Sequence, residues 1–301
     1  MQGAGIPPEA RDGRCEPLDY TRLVPAERIA ENLAFINWTV LTGLAIGSFV
    51  AVVVARTRTD ATRGFLAFTA ACAVGLTVLA FLSDQALPPA RPDSAIRIDP
   101  AFDTPRRVAL AAFGLFAAGY VIALSRRRRA TPIALAGLGA AAATLICGAL
   151  AWSGGTLLAV PLLLQLAVLA MATGGVFAAM ILGHWYLVTP KLPEAPLILI
   201  SRGLLAVVAL QVLLFAVWVS TGAGPGGGGP FTVLVGPWAL FVWLRLIVGL
   251  LFPLVVSWAA VQTARTRSME SATGLLYINV GTIAAGTILA AGLYFGAGLL
   301  V

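Results

Sequence analysis

Eight long apolar stretches constrain this 301-residue chain more than any other feature of its sequence. Their approximate bounds are 34–55, 64–84, 107–125, 131–152, 156–184, 197–220, 233–262 and 271–300. A helix of about 20 apolar residues crosses a hydrocarbon layer of ~30 Å, and the stretches lack the period-two alternation of a transmembrane barrel. Charged residues make up only 11% of the chain. The sequence therefore predicts an all-α, polytopic integral membrane protein with about eight transmembrane helices, an arrangement compatible with two four-helix bundles.

The first 33 residues differ in composition from the rest of the chain. They form a polar tail rich in proline, arginine and glutamate, without the apolar core of a signal peptide. From Pro25 to Asn32 the tail is expected to form a short helix at the membrane interface, since proline is favoured near the first helical position. We therefore expect a tail over residues 1–33 and a transmembrane helical domain over residues 34–301.

The distribution of charge predicts the orientation of the spans. With eight spans, the tail shares one side with the loops around residues 85–107, 152–155 and 221–230, and this side carries eight arginines against ten acidic residues. The other side carries eleven basic residues, including Arg126–Arg129, against three acids. Cytoplasmic loops carry the excess of lysine and arginine, so both termini are predicted to lie outside. The net charge of +7 is thereby explained by topology, and no nucleic-acid partner is expected.

Arg245 is the one charged residue inside the seventh span. Eight residues beyond Pro237, it is expected about 12 Å deep, where an unpaired charge costs from ~2.5 to more than 10 kcal/mol. It should therefore face the protein interior and have a partner. By depth, Asp84 at the end of the second span is the nearest anion, and Gln165 in the fifth span lies at a similar depth. Two interpretations stay open: a bond that fixes packing, or a role with a substrate, a quinone or a proton.

The stretch Gly183–Glu194 holds the only histidine, His184, beside Trp185 and Tyr186. The two aromatic residues match the aromatic belt at a membrane boundary. An interfacial histidine can exchange a proton with a quinone or a carboxylate near neutral pH. Further polar residues predicted on this side are Arg202, Arg267 and Glu270. They would form an inner polar cluster with His184 and Tyr186, although Glu270 could equally serve to stabilise the start of the eighth span.

Several kinds of site are not expected in this chain. A transmembrane b-type haem usually takes two axial histidines, and this chain has one; a His–Met pair is possible in principle, but no haem is expected. The three cysteines, Cys15, Cys72 and Cys147, form no C-x-x-C pair, so no metal site is expected either. No carboxylate lies in the middle of a span, which argues against a proton- or sodium-coupled transporter.

Two segments carry a resemblance to a known family. Residues 37–48 read N-W-T-V-L-T-G-L-A-I-G-S, and residues 83–91 read S-D-Q-A-L-P-P-A-R. The first is similar to the glycine-rich first helix, and the second to the acidic end of the second helix, of the NrfD/DmsC/PsrC-type membrane subunits of bacterial respiratory complexes. The resemblance implies a subunit of the bacterial inner membrane that binds quinone and anchors iron–sulfur and catalytic subunits. It would place Asn37, Asp84 and Arg245 near a quinone pocket in the outer leaflet.

The leading hypothesis is therefore a membrane subunit of a multi-subunit redox complex, which anchors its partner subunits and binds quinone or quinol without a haem of its own. As an oxidoreductase subunit it would not hold the catalytic centre. Its partners would be the other subunits and lipid. His184 or Asp84 would accept a proton, and Arg245 or Tyr186 would donate a hydrogen bond to a quinone oxygen. The alternatives are a small-solute transporter or channel with Arg245 as counter-charge, and a structural assembly subunit without a ligand.

Overall fold

The computed structural model describes residues 24–89, 94–126, 130–189 and 192–301, and within them the regular elements are helical. The α-helices are α1 Pro25–Glu31, α2 Leu33–Arg58, α3 Arg63–Gln85, α4 Asp103–Ser125, α5 Thr131–Trp152, α6 Thr156–Val188, α7 Ala195–Thr221, α8 Ala239–Leu246, α9 Phe252–Arg265 and α10 Met269–Ala297. A π-helical turn, Ile247–Leu251, joins α8 to α9. Eight helical segments of this part of the chain are long and apolar enough to cross a membrane, with α8, the π turn and α9 forming the seventh. The prediction of an all-α polytopic protein is confirmed.

Local sequence explains where several helices begin and end. Proline occupies the first turn of α5 and α7, where its missing N–H costs nothing. Gly222 and Gly298 end α7 and α10 in the left-handed conformation. The short helix expected near Pro25 is present as α1. Residues 1–23 of the tail and residues 127–129 of the arginine run lie outside the described residues.

The eight spans form two halves of four. In the first half, α2 packs on α3, α3 on α4, and α4 on α5; in the second, α6, α7, the α8–α9 span and α10 close a ring. The contacts between the halves are reciprocal, because α5 packs on α6 while α10 packs on α2. The two halves are not equivalent throughout, because α10 packs closely on α6 whereas α5 barely contacts α2.

Helices α2 and α6 join the halves through small residues. A Cβ atom added at Gly47 would lie 2.0 Å from the carbonyl oxygen of Ala170, and one at Gly174 would lie 2.3 Å from the amide nitrogen of Ser48. The two backbones are thus in direct contact, and the Ser48 hydroxyl donates a hydrogen bond to the Gly174 carbonyl at 3.3 Å. Close backbone approach replaces the hydrophobic effect, which cannot drive helix association inside a bilayer.

The bundle has two ends. We call the end at which α2 begins and α10 ends the terminal end. Helix α1 packs there against α10, and Ile29 contacts Gly292. The basic end carries the loops that follow α2, α4, α6 and α9. That the terminal end faces the outside of the cell remains a prediction from charge.

Candidate functional site

A buried network of ion pairs lies at the terminal end of the first half. Asp84, in the last turn of α3, accepts hydrogen bonds from Arg106 Nε at 2.7 Å and from Arg107 Nε at 2.8 Å. A second donor of Arg106, Nη2, lies 3.2 Å from Asp84 Oδ1, and Nη1 donates to Asp103 at 2.8 Å. The side chains of Asp84 and Arg106 are only 0% and 1% exposed. Paired contacts of this kind bind a carboxylate strongly and fix its orientation.

Helix geometry brings these charges together. Arg106 and Arg107 lie in the first turn and a half of α4, next to the end of α3 that carries Asp84. Asp103 is the first residue of α4, where a negative charge interacts favourably with the helix dipole. Its three-residue spacing to Arg106 puts both on one face of the helix. The network therefore ties together the ends of two adjacent spans.

Aromatic rings surround the arginine on its other side. The guanidinium of Arg106 lies 4.9 Å from the centre of the Trp152 ring and 6.0 Å from that of Trp38. The two indole rings contact each other edge to face at 4.7 Å, and Phe35 packs edge to face on Trp152 at 5.8 Å. Cation–π contacts are strongest where water is excluded, so these rings strengthen the hold on Arg106.

A cleft of about 470 Å³ opens above this network. Its apolar walls include Phe35, Leu87, Ile98 and Trp152, and its charged groups are Asp103, Arg106 and Arg107. Arg107 is 40% exposed, so part of the charged floor is accessible. Apolar walls around a few convergent polar groups are the usual make-up of a small-molecule site, and the volume lies within the normal range of about 300–1,000 Å³.

The sequence-predicted residues Asp84 and Asn37 lie differently with respect to this cleft. Asp84 lies beneath the cleft and forms ion pairs with Arg106 and Arg107, the two arginines that line it among the described residues. Asn37 is exposed and donates a hydrogen bond to the Ser83 hydroxyl at 3.1 Å. It contacts the neighbouring helix and is not a lining residue of the cleft.

The expectation that Asp84 would be the partner of Arg245 is wrong. Asp84 pairs with Arg106 and Arg107 in the first half, whereas Arg245 lies in the second half. There Nη2 of Arg245 donates to Gln211 Oε1 at 2.8 Å, and Nη1 donates to the Gly249 carbonyl oxygen at 3.1 Å. The resemblance also implied that Asn37 and Asp84 lie near Arg245, but the described hydrogen-bond partners of Arg245 are Gln211 and Gly249, whereas Asn37 bonds to Ser83 beside Asp84.

Gln165 is buried but is not a partner of Arg245. Its Nε2 donates to the carbonyl oxygen of Val301 at 2.9 Å, and thus links α6 to the segment that follows α10. The similar depth expected for Gln165 and Arg245 does not identify partners, because depth does not determine which helices are adjacent.

At the basic end, part of the predicted polar cluster is assembled. Tyr186, Arg267 and Glu270 line one cleft of about 370 Å³, together with Leu187, Ser268 and Met269. Arg267 forms an exposed ion pair with Glu194 at 2.8 Å. Tyr186 donates a hydrogen bond to the Pro193 carbonyl oxygen, so its hydroxyl already serves to hold the turn after α6.

His184 and Arg202 lie apart from that cleft. The Nδ1 atom of His184 is 3.4 Å from the hydroxyl of Tyr277, and both residues are exposed. Arg202 is an exposed residue of α7 and does not line the cleft. The inner cluster thus holds three of its five predicted members at one cleft.

Sequence reasoning did not select Arg106, Arg107, Trp152 or Gln211. By sequence, Arg106 and Arg107 contribute only to the charge of the 85–107 loop, although the spacing of Asp103 and Arg106 at a helix start is a usable signal. Gln211 is a lone amide within the sixth span, and a polar side chain there needs a partner for the same reason as Arg245 does. Trp152 carried no signal, because a tryptophan at the end of a span is ordinary.

Among the described residues, no group of three or more histidine, cysteine, aspartate or glutamate side chains could hold a metal ion. Comparison with protein-family models, with curated proteins and with solved structures found no match for this chain. The geometry of the cleft is therefore the basis for its proposed function.

Proposed function

We propose that this chain is the membrane subunit of a multi-subunit respiratory complex in the bacterial inner membrane, and that it binds quinone or quinol in the cleft at its terminal end. The observation that supports the proposal most is the meeting of apolar, ring-lined walls with a buried carboxylate–arginine network. A quinone needs both: an apolar slot for its ring and tail, and donors for its two oxygens. In this proposal the terminal end faces outward, as the charge distribution predicts.

The residues of the cleft divide the chemistry between them. Arg107, partly exposed, donates a hydrogen bond to one quinone oxygen. Both carboxylate oxygens of Asp84 accept hydrogen bonds from arginines, so Asp84 positions Arg106 and Arg107 and does not contact the quinol. Asp103 is 35% exposed, lines the cleft and pairs with a single arginine. Asp103 is thus better placed than Asp84 to accept a proton from a quinol hydroxyl.

The redox balance requires a partner. Oxidation of one quinol releases two protons, which leave through Asp103 and the open mouth of the cleft, and two electrons, which pass to an iron–sulfur or similar acceptor in a partner subunit. Electron transfer needs proximity, so the partner docks on the terminal end, over or beside the cleft. The chain itself binds the substrate and anchors the acceptor.

The cleft at the basic end supports a quinone site less well. Among its described lining residues Tyr186 is the only aromatic one, and its hydroxyl already donates a hydrogen bond to the Pro193 carbonyl oxygen. Arg267 is occupied by Glu194. We therefore assign the quinone to the terminal end, and this choice can be tested by variants at each end.

The test is equilibrium binding of a short-chain quinone to the purified full chain in nanodiscs, followed by quenching of tryptophan fluorescence. Arg107→Gln should weaken binding about tenfold, the equivalent of about 1.4 kcal/mol, because one charge-assisted donor is lost. The matched control is Arg267→Gln, which changes the exposed arginine of the basic-end cleft and should bind quinone like the wild type. Equal affinities of the two variants, or weaker binding in Arg267→Gln, would contradict the assignment.

A further inference from the structure

The second half buries an arginine whose charge the described part of the chain does not neutralise. Arg245 is only 2% exposed. Its hydrogen-bond acceptors are the amide oxygen of Gln211 and the carbonyl oxygen of Gly249. Its Nε atom is buried with no hydrogen-bond partner. No described carboxylate forms an ion pair with it.

Comparison with the first half shows that Arg245 lacks a carboxylate partner. In both halves an arginine on the third span is buried against a polar residue of the second span. In the first half that residue is the carboxylate Asp84, and in the second it is the neutral amide Gln211. Arg106 is thus compensated within the chain, whereas Arg245 keeps a full positive charge.

The surroundings hold the Arg245 guanidinium in place. Gly249, in the π turn, and Gly286, on α10, pack so closely that a Cβ atom on Gly286 would lie 2.6 Å from Gly249 Cα and 2.8 Å from Arg245 Nη1. Gln211 is fixed in turn, because its Nε2 donates to the Val168 carbonyl oxygen at 2.9 Å. π turns occur frequently at functional sites in helices. The guanidinium is therefore positioned by three helical segments, while its buried Nε–H has no acceptor among the described residues.

We propose that Arg245 binds a small monovalent anion, a halide or the carboxylate of a short acid, through its free Nε–H. A buried, uncompensated charge in a membrane span is costly, and a guanidinium always keeps its charge. The anion supplies the negative charge that Asp84 supplies in the first half. Gln211 does not touch the anion in this proposal; it positions the guanidinium. The site is independent of the quinone cleft and would stand if the proposed function failed.

The experiment is thermal unfolding of the purified full chain, with chloride or formate replacing gluconate at constant ionic strength. A ligand that binds only the folded state raises the unfolding midpoint, so the midpoint should rise by a few degrees and then saturate. A rise with chloride identifies a halide site, and a rise with formate alone identifies a carboxylate site. No saturable rise with either ion would overturn the proposal.

Two glutamines provide matched variants that separate a specific site from a general salt effect. Gln211→Glu places a carboxylate against Arg245 and should abolish the response to the anion. Gln165→Glu changes another buried amide, one with no arginine partner in the structure, and should keep the full response to the anion even if its unfolding midpoint is lower.

Two arginine variants complete the comparison. Arg245→Gln should show no response to the anion, and Arg202→Gln should show the wild-type response. An equal response in the wild type and in Gln211→Glu would overturn the proposal, as would its survival in Arg245→Gln.

Discussion

The two halves of the molecule bury an arginine in comparable places and treat its charge in opposite ways. Arg106 has two carboxylates within 2.8 Å and two indole rings beside it. Arg245 has an amide and a backbone carbonyl. The first arginine lies under an open cleft at the terminal end, whereas the second is enclosed by α7, the π turn and α10.

The difference indicates how the same arrangement of helices could hold two kinds of ligand, a quinone in the first half and an anion in the second. Where the carboxylate belongs to the chain, the arginine is held rigidly and can line a pocket for a neutral ligand such as a quinone. Where only an amide is present, the charge remains available to an anion. In the two proposals, the residue on the second span, acid or amide, decides what the neighbouring arginine binds.

The largest effect is expected from breaking the compensated pair. Asp84→Asn leaves Arg106 buried with a single carboxylate and takes the partner of Arg107 away. Removing one partner of a buried ion pair costs about 3–5 kcal/mol, so the free energy of unfolding should fall by roughly that amount. Denaturant or thermal unfolding of the purified chain measures it.

The control for this substitution is Asp103→Asn. Asp103 is 35% exposed, and an ion pair with one accessible member contributes about 1 kcal/mol or less. Equal losses for the two variants would show that burial of Asp84 does not matter to stability.

The second largest loss of stability is expected from a substitution in the α2–α6 contact between the halves. Gly174→Val forces a side chain into the backbone of α2, since even a Cβ atom would lie 2.4 Å from Gly47 Cα. Overpacking of this kind costs about 1–3 kcal/mol, and sometimes more. Limited proteolysis and unfolding should show the two halves loosened from each other.

Gly139→Ala is the matched control, because a Cβ atom there would meet nothing within 4 Å. Alanine is a better helix former than glycine, so this variant should be as stable as the wild type or more stable. A comparable loss in both variants would mean that glycine is needed for a reason other than close approach.

A smaller change in the free energy of unfolding should distinguish Arg245 from Arg106 when each is replaced by methionine. In medium without a small anion, Arg245→Met removes an uncompensated charge, and this gain offsets the loss of a donor to Gln211 Oε1 and to the Gly249 carbonyl oxygen. We expect its free energy of unfolding to stay within about 1 kcal/mol of the wild type. Arg106→Met should lose more, because it leaves Asp84 buried with Arg107 alone. If Arg245→Met is the less stable of the two, the proposed contrast between the halves is wrong.

The smallest effect is expected at the basic end. Glu194→Gln breaks an ion pair whose arginine, Arg267, is 65% exposed. Pairs of this kind contribute less than about 1 kcal/mol and are screened by salt. The unfolding midpoint should barely change, and a loss comparable to that of Asp84→Asn would indicate a structural role for the basic end that the geometry does not explain.

The sequence predicts the fold well and the site only in part. Hydropathy locates the eight spans because a bilayer requires long apolar helices, whichever neighbours they have. It also marks Arg245 as a residue that must face inward. The partner of Arg245 could not be predicted, because it depends on which helices are adjacent.

The Asp84–Arg106 pair lay within reach of sequence reasoning, since the two residues flank one loop between adjacent spans. The cleft above that pair could not be foreseen, because Phe35, Trp152 and the 94–102 segment come together only in three dimensions.

The most direct test of the central claim is photolabelling of the purified full chain with an azidoquinone, with the labelled residues mapped by mass spectrometry. The account predicts label at the terminal-end cleft, on residues such as Phe35, Ile98 and Trp152, and its loss when excess unlabelled quinone competes. Competed label concentrated instead at the basic-end cleft around Tyr186 and Glu270, or no competed label on the chain, would contradict it.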